Sequence, residues 1–315
     1  MPEWATMIAF FLAVYVVYAG FHVYAFVRIV KTSKASRRVR RIVAWSMAVL
    51  GSLYLIGRGL GQFVGWHVGL VILWPGSVWL GYFSLLLSLL LVVDLLWTLP
   101  SAIGHRVGWI GEAAWARCRS WTRRVFVGLP IAALLLSGVA VMNAVRPPDV
   151  TRLEVILPGL AERMDGFRIV HLSDLHAGAL VTPSMLERLV GQVNALQPDL
   201  VVITGDLGDE EDGGDGRSVR IWGGVQAPHG VLAVTGNHEY YSGGETVVQT
   251  LSRAGIRFLR QEHVLIDEAL VVAGVDDPAM LGGRGLVAPA ITRALTKRPP
   301  ALPTLLLSHQ PMGVA

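Results

Sequence analysis

The chain has 315 residues, 53% of them hydrophobic, and its mean hydropathy of +0.51 is too apolar for an ordinary soluble protein. Residues 1–146 carry 14 Lys and Arg against 3 Asp and Glu, whereas the rest of the chain carries 13 against 20. The basic excess belongs to the more apolar half, so the charge gives no indication of nucleic-acid binding. The single Cys118 excludes an intramolecular disulfide and a cysteine metal cluster, so a metal would need oxygen and imidazole ligands.

Four apolar segments predict a multi-pass α-helical membrane domain over residues 1–146. They are Ala5–Val27, Ile42 to about Leu60, about Ser77 to Trp97, and Val125–Val145. The first and last are uncharged runs of 23 and 21 residues, each long enough to cross a hydrocarbon core of ~30 Å. Between Gly59 and Val93 glycines and Pro75 interrupt the sequence, so a re-entrant piece is an alternative there.

Two basic segments predict the orientation in the cell membrane. Residues 28–41 contain seven Lys and Arg and residues 98–124 contain five, and short basic loops stay on the cytoplasmic side. An even number of spans between them places the chain after Arg146 outside the cytoplasm. For His22, Arg58 and Asp94 we predict interfacial or packing roles, with Arg58 and Asp94 close enough to span ends to reach the interface.

After Arg146 short β-rich runs alternate with helical stretches, which predicts an α/β domain over residues 147–315. The predicted strands are Arg168–Leu172, Leu200–Thr204, Val231–Thr235, Leu270–Val275 and Thr304–Ser308. The predicted helices cover about 184–196, 245–254 and 287–296.

Potential metal ligands follow four of these strands. They occur in Ser173-Asp174-Leu175-His176, Gly205-Asp206, Gly236-Asn237-His238-Glu239 and His309-Gln310-Pro311. Ligands bind at the carboxyl ends of strands in α/β sheets, where loops from different strands meet. Asp, Asn and His gathered there suit divalent first-row metals, and the neighbouring glycines allow close approach of the backbone.

These motifs, in this order and spacing, resemble those of the calcineurin-like metallophosphoesterase superfamily. The wording LSDLH, PDLVVITGD, TGNHEYY, GVDDP and LLLSHQP is similar to its bacterial membrane-associated branch, and the resemblance covers about residues 150–315. It implies a β-sandwich flanked by helices and a hydrolase of phosphomonoesters or phosphodiesters.

The resemblance also implies a site with two divalent metal ions, Mn, Fe or Zn, and a bridging hydroxide that attacks phosphorus. Asp174 and His176 would bind the first ion, Asp206 would bridge both, and Asn237 and His309 would bind the second. The catalytic His238 would lie beside the metals and donate a proton to the leaving oxygen.

Other polar residues receive less specific assignments. Asp209 is predicted to support the ligands from behind or to form a turn, and the acidic cluster of residues 209–215 to be a solvated loop, since it lacks EF-hand spacing. His171, His229 and His263 are assigned no role. Asp276 and Asp277 are predicted to form a turn.

The sequence departs from the superfamily pattern in one motif. A Gly-His-x-His block should follow His309, and the 315 residues do not contain it, which predicts either a fragment or a natural truncation. Loss of one imidazole per metal would weaken binding of both ions, so the alternative function is an inactive membrane-anchored binding protein that retains the fold. The expected partners are the lipid bilayer and a phosphate-ester substrate, with a lipid-linked or envelope phosphate suggested by location.

Overall fold

A computed structural model describes residues 3–33, 35–64, 66–177, 181–208 and 217–312. The chain divides into two compact units, Met1–Ala144 and Val145–Ala315. The first is helical and the second contains every strand within the described ranges. Asp209 and the acidic cluster around it lie outside the described residues, as does the side chain of Arg58.

The first unit is built from long apolar helices. They are α1 (Glu3–Ser33), α2 (Arg37–Val64), α3 (Trp66–Val93), a π-helical turn (Asp94–Thr98), α4 (Leu99–Arg106) and α5 (Glu112–Ala144). Within the described residues, four segments are long and apolar enough to cross a membrane, namely Leu12–Val30, Arg37–Gly57, Val71–Arg106 and Glu112–Ala144. The predicted multi-pass helical arrangement is therefore confirmed.

Helices α2 and α3 pack with their backbones in close contact. A Cβ atom added at Gly57 would lie 2.8 Å from the backbone nitrogen of Leu73, and one at Gly76 would collide with the backbone of Tyr54. Small residues permit such close packing between membrane helices. Helix α3 continues through Pro75 without a break.

Asp94 has a packing role, one of the two predicted for it, because its carboxylate is enclosed by side chains of the same unit. Oδ2 accepts hydrogen bonds from the Tyr24 hydroxyl at 2.5 Å and from Arg28 Nε at 2.6 Å. Arg28 also contacts Oδ1, as does the Thr98 hydroxyl. The charge of Asp94 is thus neutralised by an arginine on another helix, as expected for a polar pair among apolar helices.

His22 also has a packing role. Its ring stacks on Phe83 with centroids 3.7 Å apart, and its Nε2 accepts a hydrogen bond from Trp79 Nε1 at 3.1 Å. The Nδ1 atom lies 3.0 Å from the carbonyl oxygen of Tyr18, one helical turn earlier. Both ring nitrogens are therefore bonded in a neutral tautomer that donates from Nδ1.

The second unit contains two sheets. The strands are β1 (Ile169–Leu172), β2 (Leu200–Thr204), β3 (Val231–Val234), β4 (Ile256–Phe258), β5 (Glu262–Ile266), β6 (Leu270–Gly274) and β7 (Thr304–Leu307). Strands β1-β2-β3-β4 form a parallel sheet in that order. In the second sheet β6 pairs antiparallel with β5 and parallel with β7.

Apolar side chains fill the space between the sheets. Leu200 and Val202 of β2 and Leu232 of β3 join Val272 of β6 and Leu307 of β7 in one buried cluster. Alternate residues of β2 and β3 face the opposite way and pack on helices, which explains why these strands are hydrophobic at nearly every position.

Helices cover the outer faces of both sheets. They are α6 (Pro183–Ala195), α7 (Arg217–Trp222), α8 (Asn237–Tyr241), α9 (Glu245–Ser252), α10 (Pro278–Leu281) and α11 (Val287–Leu295). Helices α6, α7 and α9 contribute to the cluster on the four-stranded sheet, and α11 packs on β6. The predicted α/β architecture, a β-sandwich flanked by helices, is confirmed.

The five predicted strands are present to within one residue at each end, while β4 and β5 were missed. Strand β4 has only three residues, and β5 begins with Glu262 and His263, which dilute its apolar pattern. Strand β2 matches its predicted range fully, because all but the last of its residues are buried and the flanking residues are polar or glycine.

Candidate metal centre

The site lies where the chain leaves β1, β2, β3 and β7. Beyond the strands, the β1 and β2 loops remain hydrogen-bonded: His176 N donates to the Asp206 carbonyl at 2.9 Å and Ala177 N to that of Leu207 at 2.8 Å. These bonds extend the parallel pairing of β1 and β2 by several residues. Asp174, His176 and Asp206 are thereby held side by side.

Asp206 lies at the centre of the site. Its side chain is 5% exposed, and its Oδ2 lies 3.7 Å from His176 Nε2 and 3.5 Å from His309 Nε2. Its Oδ1 accepts a hydrogen bond from the backbone nitrogen of His238 at 2.9 Å. Asp206 thus belongs to two groups of potential ligands, one with His176 and His238 and one with Asp174 and His309, and within each group the ligand atoms lie within 4.8 Å of one another.

Two glycines allow the loops to approach this closely. A Cβ atom at Gly205 would lie 2.5 Å from Gly236 N and 2.9 Å from His309 Nδ1, and one at Gly236 would collide with the Asp206 carboxylate. Gly205 also has φ +89°, which L side chains rarely adopt. Side chains at these positions would separate β2 from β3 where the candidate ligands meet.

Three candidate ligands have left-handed backbone conformations. The φ angles are 55° at Asp174, 46° at His176 and 54° at Asp206. Each costs roughly 1–2 kcal/mol for a residue with a Cβ atom. Such conformations cluster at functional sites, where the surrounding structure maintains them.

A backbone carbonyl fixes the tautomer of His309. Its Nδ1 lies 2.8 Å from the carbonyl oxygen of Thr204, the last residue of β2, so Nδ1 carries the proton and donates it. The lone pair is then on Nε2, which faces Asp206. Metal-binding histidines are oriented by this kind of second hydrogen bond.

Asn237 and His238 follow Gly236 in the first turn of α8. His238 is partly buried. The ring of His238 lies edge-on to that of His176, with centroids 4.4 Å apart. Tyr241, one turn later and exposed, has its ring 6.0 Å from His238. His238 belongs to one of the two groups of potential ligands, so its position fits a metal ligand as well as the predicted proton donor.

Glu239 closes the motif Gly236-Asn237-His238-Glu239, and the sequence assigned it no role of its own. Its fully buried carboxylate accepts hydrogen bonds from three backbone nitrogens, those of Asp206 at 2.9 Å, Leu207 at 2.8 Å and Gly236 at 2.7 Å. It thus joins the loop after β2 to the loop after β3. A sequence signal existed, because an acidic residue three positions after a helix N-cap is typical of a capping box.

The donor set fits divalent metal ions. Atoms that share a tetrahedral ion at bond lengths of about 2.1 Å are roughly 3.4 Å apart. The Asp206 oxygen and the two imidazole nitrogens have about this spacing, which is too long for a hydrogen bond. Carboxylate and neutral imidazole ligands suit first-row metals in general, so the chemistry leaves the identity of the metal open.

The second unit is thus an α/β sandwich that gathers carboxylates and imidazoles at its strand ends, where they could hold metal ions. Residues 167–313 match the family model of calcineurin-like phosphoesterases. This match confirms the resemblance inferred from the motifs.

Two of the relatives found by sequence carry both a transmembrane part and a metallophosphoesterase domain in their names. A cattle "transmembrane protein with metallophosphoesterase domain" is 34% identical over 209 residues, 61% of this chain and 46% of that protein. A zebrafish protein of the same name is 34% identical over 200 residues, which are 60% of this chain and 45% of that protein. A Campylobacter jejuni metallophosphoesterase is 30% identical over 187 residues, which are 59% of this chain and 48% of that protein. The chain spans about half the length of these relatives, and no solved structure matches it.

Proposed function

We propose that this protein hydrolyses a phosphomonoester or phosphodiester at the extracytoplasmic surface of the cell membrane, using two divalent metal ions. The observation that carries the proposal is the position of Asp206, whose carboxylate belongs to both groups of potential ligands. A shared carboxylate of this kind can hold two ions ~3.5–4 Å apart.

In this proposal, which follows the motifs, Asp174 and His176 hold one ion, Asn237 and His309 hold the other, and Asp206 serves both. The side chains as they lie group His176 with His238 and Asp174 with His309, so the shared position of Asp206 is what the two arrangements have in common. When bound, such ions neutralise phosphate oxygens and make water more acidic. The chain fixes its ligands before substrate arrives: Glu239 holds the backbone of Asp206, and the Thr204 carbonyl orients His309. Ligands held this way need little rearrangement during the reaction, which is how a preorganised site lowers a barrier.

His238 is proposed to transfer a proton to the leaving oxygen. It is partly buried. Its backbone nitrogen donates a hydrogen bond to Asp206, which holds the backbone of His238 next to the candidate ligands. A general acid must reach the oxygen that departs, so a residue beside the ligands and open to solvent is suitable. Asn237 is proposed as a ligand because its amide oxygen adds a donor without adding charge.

The proposed substrate is a lipid-linked or envelope phosphate. Two features support it: four helices that are able to cross a membrane, and basic residues concentrated in residues 28–41 and 98–124, which favour the cytoplasmic side. A catalytic domain anchored in this way works at high local concentration on substrates in the same bilayer.

The activity is tested with the purified protein in detergent. We expect Mn²⁺-dependent release of phosphate or alcohol from model esters, loss of the activity with a chelator, and recovery when the metal is returned. Assaying a monoester beside a diester identifies the reaction. Stoichiometric metal without turnover of either ester would support the alternative, an inactive protein that retains the fold.

Orientation is tested by cysteine labelling in a Cys118→Ser background. Gln249→Cys places a thiol on exposed α9, and Ser120→Cys places one in the basic segment, where it is also exposed. An impermeant maleimide applied to intact cells should label the cysteine at 249 and spare the one at 120. The reverse pattern would place the phosphoesterase domain in the cytoplasm.

A further inference from the structure

Asp276 and Asp277, assigned to a simple turn from the sequence, belong to a buried polar network beside the candidate site. Each is 2% exposed, and Thr235, which precedes Gly236, is fully buried with them. The Thr235 hydroxyl donates to Asp276 Oδ1 at 2.8 Å and accepts from Asp277 N at 3.1 Å. One hydroxyl therefore links the end of β6 to the start of the turn that carries Asn237 and His238.

The two carboxylates have different partners. Asp276 Oδ2 accepts from Arg260 Nε at 2.9 Å, and Arg260 Nη1 also donates to Glu245 Oε2. Burial lowers the pKa of Arg260, but its bonds and charge contacts with these two carboxylates outweigh that effect and raise it overall. Asp276 is thus neutralised on its own side of the network.

The carboxylate of Asp277 accepts hydrogen bonds from α10 and from the segment after β7. Its Oδ1 accepts from Ala279 N at 2.8 Å, which caps α10, and its Oδ2 accepts from Gln310 Nε2 at 2.9 Å. Gln310 directly follows His309. Its carbonyl oxygen accepts a hydrogen bond from the Ser308 hydroxyl at 2.8 Å, which tightens the turn on both sides of the histidine.

We propose that Asp277 is a positioning residue, whose buried carboxylate holds Gln310 and thereby orients the neighbouring His309 beside the turn after β3. His309 then has two restraints of different origin, its own bond to the Thr204 carbonyl and the anchor on the following residue. The role of His309 as a metal ligand rests on the proposed function, whereas its orientation does not.

The bond between Asp277 and Gln310 can be broken and restored without removing bulk. Gln310→Glu replaces the amide that donates to Asp277 with a carboxylate. The hydrogen bond is then lost, and the two carboxylates repel each other. The double variant D277N/Q310E restores a donor and an acceptor, because the asparagine amide donates to the carboxylate introduced at position 310 while its oxygen keeps the cap on Ala279. Asp199→Asn is the matched control, since Asp199 bonds Arg168 N at the opposite ends of β1 and β2.

The first measurement uses metal-free protein and follows the ring nitrogens of ¹⁵N-labelled histidines by NMR, with His309 assigned by a His309→Asn variant. Wild type and the control should show His309 protonated at Nδ1. Q310E should move its signals toward those of a ring exchanging between tautomers, and D277N/Q310E should return them. Unchanged signals in Q310E, or no recovery in the double variant, would overturn the positioning role.

The second measurement is Mn²⁺ affinity of the same variants. Partners that orient a ligand typically contribute 10–100-fold, so Q310E should bind about 10-fold more weakly or worse, and the double variant should recover. Equal affinity in all variants would show that the hydrogen bond between Asp277 and Gln310 does not affect metal binding, which would contradict the proposal. If wild type binds no metal, the proposed function fails, and the NMR comparison still decides the positioning role.

Discussion

Asp94 and Asp206 are both shielded carboxylates, one among the long helices and the other at the end of a sheet. Asp94 is enclosed by donors, since Tyr24, Arg28 and Thr98 all bond its oxygens. Asp206 instead faces two imidazole nitrogens at 3.5 and 3.7 Å, beyond hydrogen-bond distance. The first arrangement neutralises a charge within the protein, and the second gathers ligand atoms around a position that suits a cation.

The largest effect is expected at His238, which lies beside Asp206 and whose position fits both a metal ligand and a proton donor. If His238 donates a proton and does not bind metal, His238→Ala should keep its metal content and lose ~10²–10⁴ in turnover. The loss should be greatest for an ester with a high-pKa alkyl leaving group and least for an activated aryl ester.

Turnover of both esters and metal content by mass spectrometry check this prediction. His229→Ala is the control, because His229 precedes β3 at the far end of the sheet. A His238→Ala protein that lost an ion, or that slowed both esters equally, would make His238 a ligand or a general binding group.

A smaller effect is expected from loosening the framework of the site. Glu239→Gln keeps the shape of the side chain but directs an amide group at backbone nitrogens that need an acceptor. We expect the free energy of unfolding to fall by about 2–3 kcal/mol. Urea denaturation measures it, with the exposed Glu262→Gln as a control that should change by less than about 0.5 kcal/mol. Equal stability of the two variants would show that Glu239 does not hold the loops.

The smallest effect is expected in the helical unit. Asp94→Asn should reduce its stability by about 1–2 kcal/mol, because Arg28 loses its charge partner but keeps a hydrogen-bond acceptor. The double variant R28L/D94L should recover most of the loss, since removing both members of a buried pair is often neutral. Thermal unfolding in detergent measures both, and metal content should stay at the wild-type level. A loss of metal in either variant would contradict the separation drawn between the two carboxylates.

The sequence revealed features that depend on local order and missed those that depend on distant partners. The run Leu200–Thr204 predicted β2, and Asp206 followed from its position after Gly205 at a strand end. The partner of Asp94 was not predictable, because Arg28 is 66 positions away and only helix packing brings them together. The long-range bonds of Glu239 to Asp206 and of Asp277 to Gln310 were not predictable for the same reason, since these partners lie on loops of other strands.

The metal content of Asp206→Asn tests most directly whether one carboxylate serves two metal ions. The asparagine oxygen can still accept from His238 N, so the fold should remain intact. We predict that metal is lost from both positions, with affinity reduced by more than ~10²-fold, whereas Asp174→Asn loses metal from one position only. Two ions per chain in the Asp206→Asn protein would contradict the account.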